Sequence, residues 1–155
     1  MRTWGVRGET PMVQFHFNWH QLSLIAGMHF TGMCFRLHEG TVAKEQVVEF
    51  LQALLAHFRR SLLILWDNSR PHRSHLVRDY VASTAGRIQL HFLPGYAPEL
   101  NPVEGLWNYL KRVELGNRCC ADLPALGLAL RRGKERLRHK RHVLQACVAQ
   151  CGYHV

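Results

Sequence analysis

The hydrophobic and polar positions in the first third of the chain predict a β-hairpin followed by a helix. Apolar residues dominate over residues 21–30 and again over 32–37, and a Thr-Gly pair between the two runs indicates a tight turn. Over residues 43–58 the apolar positions instead recur at helical spacing, with Thr41 as the candidate N-cap and Glu45 in the first turn. We therefore expect two adjacent strands and then an amphipathic helix.

The remainder of the chain alternates between short apolar runs and helical patterns. Residues 61–66 form a continuous apolar run bounded by charge, which is typical of a strand buried on both faces. The further elements predicted are a strand over residues 88–93 and helices over 72–81, 101–115, 143–151 and from Asp122 onwards. Strands that are paired early and then alternate with helices predict a single α/β domain, in which helices flank a mixed sheet.

The charge of the chain indicates a polyanionic partner. Its 20 Lys and Arg residues against 11 Asp and Glu residues give a net charge of +9. Such a surplus raises the local concentration of polyanions, of which nucleic acid is the commonest, and the alternative is a merely basic protein. The sequence has no run of the roughly 20 apolar residues that a membrane helix needs, and its start has no apolar signal-peptide core. We therefore expect a cytoplasmic protein without a membrane partner.

Asp67 is the first candidate for chemistry. It stands where the apolar run 61–66 gives way to polar residues, and open α/β sheets bind their ligands beyond the carboxyl ends of their strands. The alternative is an aspartate whose side chain only closes the following turn.

Glu104 is the second candidate, and it lies in the first turn of a predicted helix. Asn101 is a suitable N-cap and Pro102 suits the first helical position, so Glu104 is third, where it could also close a capping box. The apolar stripe of this helix consists of Val103, Leu106, Trp107, Leu110 and Val113. Glu104, Asn108 and Lys111 lie on another face, so Glu104 need not point into the core.

Paired carboxylates from two separate elements suit Mg²⁺ or Mn²⁺, because these ions prefer oxygen ligands. Two such ions about 4 Å apart can activate a water or a 3′-hydroxyl and stabilise the leaving oxygen in phosphodiester chemistry. Asp67 and Glu104 are therefore candidate metal ligands and candidate catalytic residues.

Basic residues crowd the helical C-terminal part of the chain, about residues 122–155. The candidate phosphate contacts there are Arg131, Arg132, Lys134, Arg136, Arg138, Lys140 and Arg141. Binding through them is expected to depend steeply on salt, whereas the alternative is a solvated helix face.

Two segments together resemble the mariner-like branch of bacterial insertion-sequence transposases, in the DDE superfamily. They are LLILWDNSRPH over residues 62–72 and LPGYAPELNPVEGLWNYLK over 93–111, supported by TWGVRGETP over 3–11. The resemblance implies a ribonuclease-H-like fold in which Asp67 is the second carboxylate of the catalytic triad and Glu104 is the third. It also implies two Mg²⁺ or Mn²⁺ ions in an intact site, and cut-and-paste transposition at the element's terminal repeats. Candidate DNA contacts near the site are Arg70, His72, Asn108 and Lys111.

The chain also departs from this family pattern. In the family the first aspartate lies on a strand just upstream of the segment that resembles residues 3–11, whereas here no Asp precedes Asp67. The earlier acids are Glu9, Glu39, Glu45 and Glu49, and none of them occupies the family's position. The family's N-terminal helix-turn-helix region is also not matched. We therefore expect an incomplete catalytic domain whose first strand is missing and whose cleavage activity alone is impaired. A second copy or an upstream transposase product is the expected protein partner, and the nucleoid of a bacterium is the expected location. The alternative is a non-catalytic remnant that binds DNA or another subunit.

Overall fold

A β-hairpin is the first strand pair that the structure describes. The computed structural model describes residues 7–8, 21–29, 31–116 and 118–153. Strands β1 (Leu22–His29) and β2 (Gly32–Glu39) pair antiparallel, from Leu22 opposite Glu39 to His29 opposite Gly32. The predicted hairpin is confirmed, and β2 extends two residues beyond its predicted end.

Helix α1 (Lys44–Phe58) follows the hairpin as its apolar spacing predicts, but a different residue starts it. Ala43 is the N-cap, and its N–H donates to Gln46 Oε1 at 3.0 Å. The prediction of Thr41 as N-cap is wrong, because Thr41 Oγ1 instead accepts a hydrogen bond from Gln21 Nε2 at 2.8 Å. That bond ties the segment before α1 to the residue that precedes β1.

Strands β3 (Leu62–Trp66) and β4 (Ile88–Phe92) pair in parallel, with helix α2 (His75–Ser83) in the connection between them. Ser74 caps α2, since its Oγ accepts from the Val77 N–H at 3.3 Å. The helix therefore starts three residues later than predicted, because residues 70–73 form a turn. The described strands form two separate two-stranded sheets, one antiparallel and one parallel. Both pairing types of the predicted mixed sheet are therefore present, but the described residues do not join them in one sheet.

The hairpin lies between two layers of helices, because its side chains alternate between its two faces. Ile25 and Cys34 pack against the core around α1, whose members include Val47 and Leu51. Ala26, Met28, Met33 and Phe35 face the other way and pack against the C-terminal helices. Those helices are α3 (Pro102–Tyr109), α4 (Leu123–Arg138) and α5 (Arg141–Gln150), and they contribute Leu106, Leu137 and Leu144 to the second core. Each fully buried leucine contributes about 1.5–3 kcal/mol to folding.

Strand β3 has one covered face and one open face. Leu62 and Ile64 pack against the core around α1, whereas Leu63 is 63% exposed and Leu65 is 53% exposed. The prediction that this strand is buried on both faces is therefore wrong. A continuous apolar run does not distinguish burial on one face from burial on two, since it lacks the polar positions that would mark the open face.

Substitutions on the two faces of β3 should have different effects on stability. We expect Leu63→Thr to change the free energy of unfolding by less than about 0.5 kcal/mol, as at other surface positions. Ile64→Thr should cost about 2 kcal/mol, because it removes apolar contact with α1 and brings a hydroxyl into that contact. Urea unfolding followed by circular dichroism measures both, and equal losses would contradict the open face.

Among the residues that the structure describes, none of the helices has the length and apolar character that crossing a bilayer requires.

Candidate active site

Asp67 lies directly after β3, at the carboxyl end of the parallel pair. Its Oδ1 accepts two hydrogen bonds, from the Ser69 N–H at 3.0 Å and from His72 Nδ1 at 2.6 Å. The bond from Ser69 closes the turn, as the alternative reading of this residue predicts. Both of these bonds use Oδ1, and a carboxylate has further lone pairs, so the same group can close the turn and bind a further partner.

His72 is held between Asp67 and the last residue of β3. Its ring stacks on Trp66, with ring centroids 4.4 Å apart and planes at 5°. Burial raises the pKa of Asp67, but the hydrogen bond from the Ser69 backbone and the interaction with His72 lower it by more, so this pKa lies below its usual value. Asp67 is therefore ionised at neutral pH, which is the state in which a carboxylate binds a cation.

The two segments that carry the transposase resemblance meet at this end of the strands. Asn68 Nδ2 donates to the Leu93 carbonyl at 2.7 Å, and the Leu93 N–H donates to the Trp66 carbonyl at 2.8 Å. Leu93 is the residue at which the second segment begins. The backbone around Asp67 is thus tied directly to the loop that leads towards Glu104.

Glu104 lies in the first turn of α3, as predicted. Asn101 caps the helix, because its Oδ1 accepts from the Val103 N–H at 3.2 Å, and Pro102 is the first helical residue. The Glu104 side chain is exposed, and no hydrogen bond or ion pair joins it to any other described residue. The capping box is therefore not formed, and the carboxylate remains available. Asn108 and Lys111 are exposed as well, in agreement with the predicted polar face.

The donor atoms of this region suit a hard divalent cation. Asp67 and Glu104 each offer carboxylate oxygens, and oxygen is the ligand that Mg²⁺ and Mn²⁺ prefer. Over residues 7–8, 21–29, 31–116 and 118–153, however, no cluster of three or more His, Cys, Asp and Glu side chains is arranged to hold a metal ion. Because His72 lies against Asp67, this result also means that the described structure does not bring Glu104 together with Asp67 and His72 as one group of metal ligands.

The helix that carries Glu104 changes its winding after about two turns, and this change places a charged residue in the core. Residues Leu110–Glu114 form a π-helical turn, closed by a hydrogen bond from the Leu115 N–H to the Leu110 carbonyl at 2.9 Å. The wider turn leaves Val113 57% exposed and Glu114 only 5% exposed. The assignment of Val113 to the apolar stripe is therefore wrong.

Glu114 is a residue that the sequence reasoning missed. Arg136 Nε and Nη2 both donate to its Oε2 at 2.6 Å, and Lys140 Nζ donates to its Oε1 at 3.2 Å. Lys140 Nζ also donates to Tyr109 Oη at 2.9 Å. The signal in the sequence is the position of Glu114 four residues after Leu110, which continues the line of Leu106 and Leu110.

The predicted basic residues of the C-terminal helices thus fall into three groups. Arg136 and Lys140 direct their charges at Glu114 and join α4 and the start of α5 to the end of the α3 segment. Lys134 pairs with Glu135 at 3.0 Å, whereas the remaining members are exposed: Arg131, Arg132, Arg138 and Arg141. Near Asp67, Arg70 is exposed and His72 is engaged with Asp67.

Comparison with known proteins identifies the family. A family model described as DDE superfamily endonuclease matches residues 1–126, whereas no curated protein matches the chain. The Mos1 strand transfer complex aligns with a TM-score of 0.62 and 19% identity, over 100% of this chain and 50% of the Mos1 chain. The Mos1 transposase catalytic domain with raltegravir and Mg aligns with a TM-score of 0.58 and 20% identity, over 91% of this chain and 80% of the other.

A third structure, the Mos1 paired-end complex with the left transposon end, aligns with a TM-score of 0.57 and 18% identity over 99% of this chain and 51% of the other. The chain therefore spans about half the length of the Mos1 chains in the two complexes. The structural likeness confirms the predicted ribonuclease-H-like α/β fold of transposase catalytic domains. The family match confirms the predicted superfamily: this chain belongs to the DDE superfamily endonucleases.

Proposed function

We propose that this chain is part of a DNA transposase catalytic domain and that Asp67 and Glu104 bind the divalent cations of its active site. The observation that supports the proposal best is the junction between the segment around Asp67 and the loop that leads to Glu104, through Asn68 and Leu93. Mos1 structures with Mg and with Mn support the choice of cation. The proposed cations are accordingly two Mg²⁺ or Mn²⁺ ions in an intact site.

The proposed reaction is transfer at phosphorus. In cleavage, a water oxygen forms a bond to phosphorus, the bond from phosphorus to the 3′-oxygen breaks, and that oxygen takes up a proton. In strand transfer, the 3′-hydroxyl loses its proton and its oxygen forms a bond to a phosphorus of the target strand. The bond from that phosphorus to the 3′-oxygen of the target strand breaks, and this leaving oxygen takes up a proton. Bound Mg²⁺ or Mn²⁺ supplies the Lewis acidity for both steps. Asp67 and Glu104 would supply the negatively charged ligands for these ions. Ser69 and His72 hydrogen-bond to Asp67 and fix the orientation of its carboxylate.

The proposed substrate is duplex DNA at the terminal repeats of the element. Arg70, Asn108 and Lys111 are exposed on the elements that carry Asp67 and Glu104, and His72 lies beside Asp67. Arg131, Arg132, Arg138 and Arg141 add exposed positive charge on α4 and α5. The Mos1 complexes with a transposon end and after strand transfer support this substrate class. We further propose a cytoplasmic, nucleoid-associated location and a partner that is either a second copy or an upstream transposase product.

Cleavage by the chain alone is expected to be weak or absent. With only two carboxylates, two divalent cations face fewer fixed negative charges than in a complete triad. The test incubates the chain with terminal-repeat duplex in Mg²⁺ or Mn²⁺ and follows nicking on a denaturing gel, with Asp67→Ala as the matched control. DNA binding without nicking is the expected result, and metal-dependent nicking that disappears in Asp67→Ala would contradict the impairment. A chain that binds DNA but takes up no Mn²⁺ would instead support the alternative, a non-catalytic remnant.

A further inference from the structure

A cationic pocket lies where the turn of the β-hairpin meets the junction between α4 and α5. It has a volume of about 460 Å³, and its lining residues are Thr31, Arg138, His139, Arg141 and His142. Thr31 belongs to the turn between β1 and β2, and the other four end α4 and begin α5. All five side chains are polar, and none of these lining residues carries a carboxylate. We call this feature the hairpin-tip pocket.

The hairpin-tip pocket lies at the end of the strands opposite to Asp67. His29, the last residue of β1, contacts Phe58 edge to face, with ring centroids 5.1 Å apart. Phe58 ends α1, and β3 begins four residues later, so the hairpin tip lies near the amino end of β3. Asp67 follows the other end of that five-residue strand, about 16 Å away along its axis. The pocket is therefore separate from the candidate active site.

Little negative charge opposes the cations of the pocket. Arg138 Nη1 lies 3.9 Å from Glu135 Oε2, and both side chains are more than half exposed, so this ion pair is weak. Among the described residues, Arg141, His139 and His142 have no ion pair.

The donors of the pocket match a phosphate group. Arginine presents a planar fork of N–H groups that can donate two parallel hydrogen bonds to phosphate oxygens, and histidine adds single donors. The Thr31 hydroxyl is hydrogen-bonded to His29 Nδ1 at 3.2 Å. Helix α5 starts here without a side-chain cap, so its first N–H groups add to these donors. A pocket built from donors alone recognises charge and shape and does not read bases.

We propose that the hairpin-tip pocket binds a backbone phosphate of the DNA at a position remote from the cleavage site. This inference rests on the proposed function and deepens it, because it adds an anchoring point that holds the duplex while the other end of the strands faces the scissile phosphate. The ligand chemistry is a phosphate, and its source is the DNA backbone in preference to free phosphate. A contact of this kind contributes affinity that depends on salt and is independent of sequence.

Paired substitutions test the pocket against net charge. Arg138→Gln with Arg141→Gln removes two charges from the pocket, and the control, Lys44→Gln with Arg78→Gln, removes two exposed charges from α1 and α2. Affinity for a labelled duplex is measured by fluorescence anisotropy at several salt concentrations. The pocket variant should bind about tenfold more weakly and lose about 0.9 from the slope of log affinity against log salt, since the pocket makes one phosphate contact and each contact contributes about 0.9. The control should lose less than about threefold. Equal losses in the two variants, or no loss in the pocket variant, would overturn the proposal.

Titration with inorganic phosphate separates the two sources of the ligand. NMR signals of the His139 and His142 rings report on occupation of the pocket. Inorganic phosphate should shift these signals, and added duplex DNA should displace the phosphate from the pocket. Phosphate that saturates the pocket and resists displacement by duplex would assign a free-phosphate site and overturn the DNA contact, and so would the absence of any shift.

Mn²⁺ binding, measured in the same variants, distinguishes failure of this inference from failure of the proposed function. Unchanged DNA affinity in the pocket variant together with normal Mn²⁺ binding rejects only the pocket. If the native chain binds no Mn²⁺ but the pocket variant still loses DNA affinity, only the metal-dependent function is rejected. Matched unfolding curves for the two variants show that both remain folded.

Discussion

Replacing Glu114 with alanine is expected to lower the free energy of unfolding by about 3 kcal/mol. The substitution leaves Arg136 and Lys140 facing a buried position without their counter-charge, and breaking a buried ion pair in this way costs about 3–5 kcal/mol. The lower end applies because both cations are partly exposed and can regain water. Since domains are stable by only about 5–15 kcal/mol, the loss should be large enough to shift the urea midpoint clearly.

Glu135→Ala is the matched control for this prediction. Glu135 lies on α4, like Arg136, and it also pairs with two cations, Lys134 and Arg138, but its side chain is half exposed. Its removal should change the midpoint far less, because exposed ion pairs are solvated and contribute little. If the two variants unfold alike, the ion cluster around Glu114 does not hold the end of the α3 segment to α4 and α5.

The stability that Glu114 contributes should also depend on pH in a defined direction. Burial raises the pKa of Glu114, but the hydrogen bonds and charges of Arg136 and Lys140 lower it by more, so this pKa lies below its usual value near 4.5. A group whose pKa is lower in the folded state contributes fully above its unfolded pKa and loses that contribution as pH falls through its folded pKa. The difference in unfolding free energy between the native chain and Glu114→Ala should therefore be constant above about pH 5 and shrink below it. A difference that grew on acidification would contradict this sign.

Asp67→Asn is expected to weaken Mn²⁺ binding by about 100-fold or more. Asparagine keeps the shape of the side chain and still accepts the Ser69 hydrogen bond, so the turn should survive while the anionic ligand is lost. Even a partner that only orients a metal ligand is worth about 10–100-fold in affinity, and a charged ligand should be worth at least as much. Isothermal titration calorimetry with Mn²⁺ measures the effect.

Asp79→Asn serves as the control for Mn²⁺ binding, because Asp79 is an exposed aspartate on α2 outside the candidate site. It removes the same charge and should leave Mn²⁺ affinity nearly unchanged. Glu104→Gln should behave like Asp67→Asn. Comparable losses in the Asp79 variant would indicate that Mn²⁺ responds to net charge alone.

The arrangement of strands and helices was largely predictable, because period-two and period-3.6 patterns and capping residues are local. The Thr-Gly turn places the hairpin, and Asn101 with Pro102 starts α3 at the predicted residue. The local pattern predicted the start of α1 less well. Ala43 is the N-cap, and the Thr41 hydroxyl instead accepts a hydrogen bond from the Gln21 side chain. That contact joins residues 20 positions apart, which a local pattern does not contain.

The errors in burial share a physical origin. The apolar run of β3 indicates a strand, but the number of its covered faces depends on what packs against Leu63 and Leu65. The prediction of an apolar stripe on α3 depends on a constant helical period. The π-helical turn changes that period, which moves Val113 outwards and Glu114 inwards. This turn brings α4 close, since a Cβ on Gly133 would lie 3.1 Å from Glu114 Cβ.

The positions of Asp67 and Glu104 on their elements were predictable, and the surroundings of these residues were less so. Asp67 follows a strand and Glu104 begins a helix where the patterns place them. The contacts of His72 with Asp67 and Trp66 depend on the turn at residues 70–73, which the sequence analysis assigned in part to a helix. Likewise, a run of basic residues does not reveal that Arg136 and Lys140 face a buried carboxylate, because their partner lies on a different helix segment.

A crystal structure of the chain soaked in Mn²⁺, with anomalous scattering used to locate the metal, tests the central claim most directly. The expected result is an anomalous peak that lies within about 2–2.5 Å of a carboxylate oxygen of Asp67 and also of a carboxylate oxygen of Glu104. Peaks bound elsewhere, or carboxylates too far apart to share a pair of ions, would contradict it.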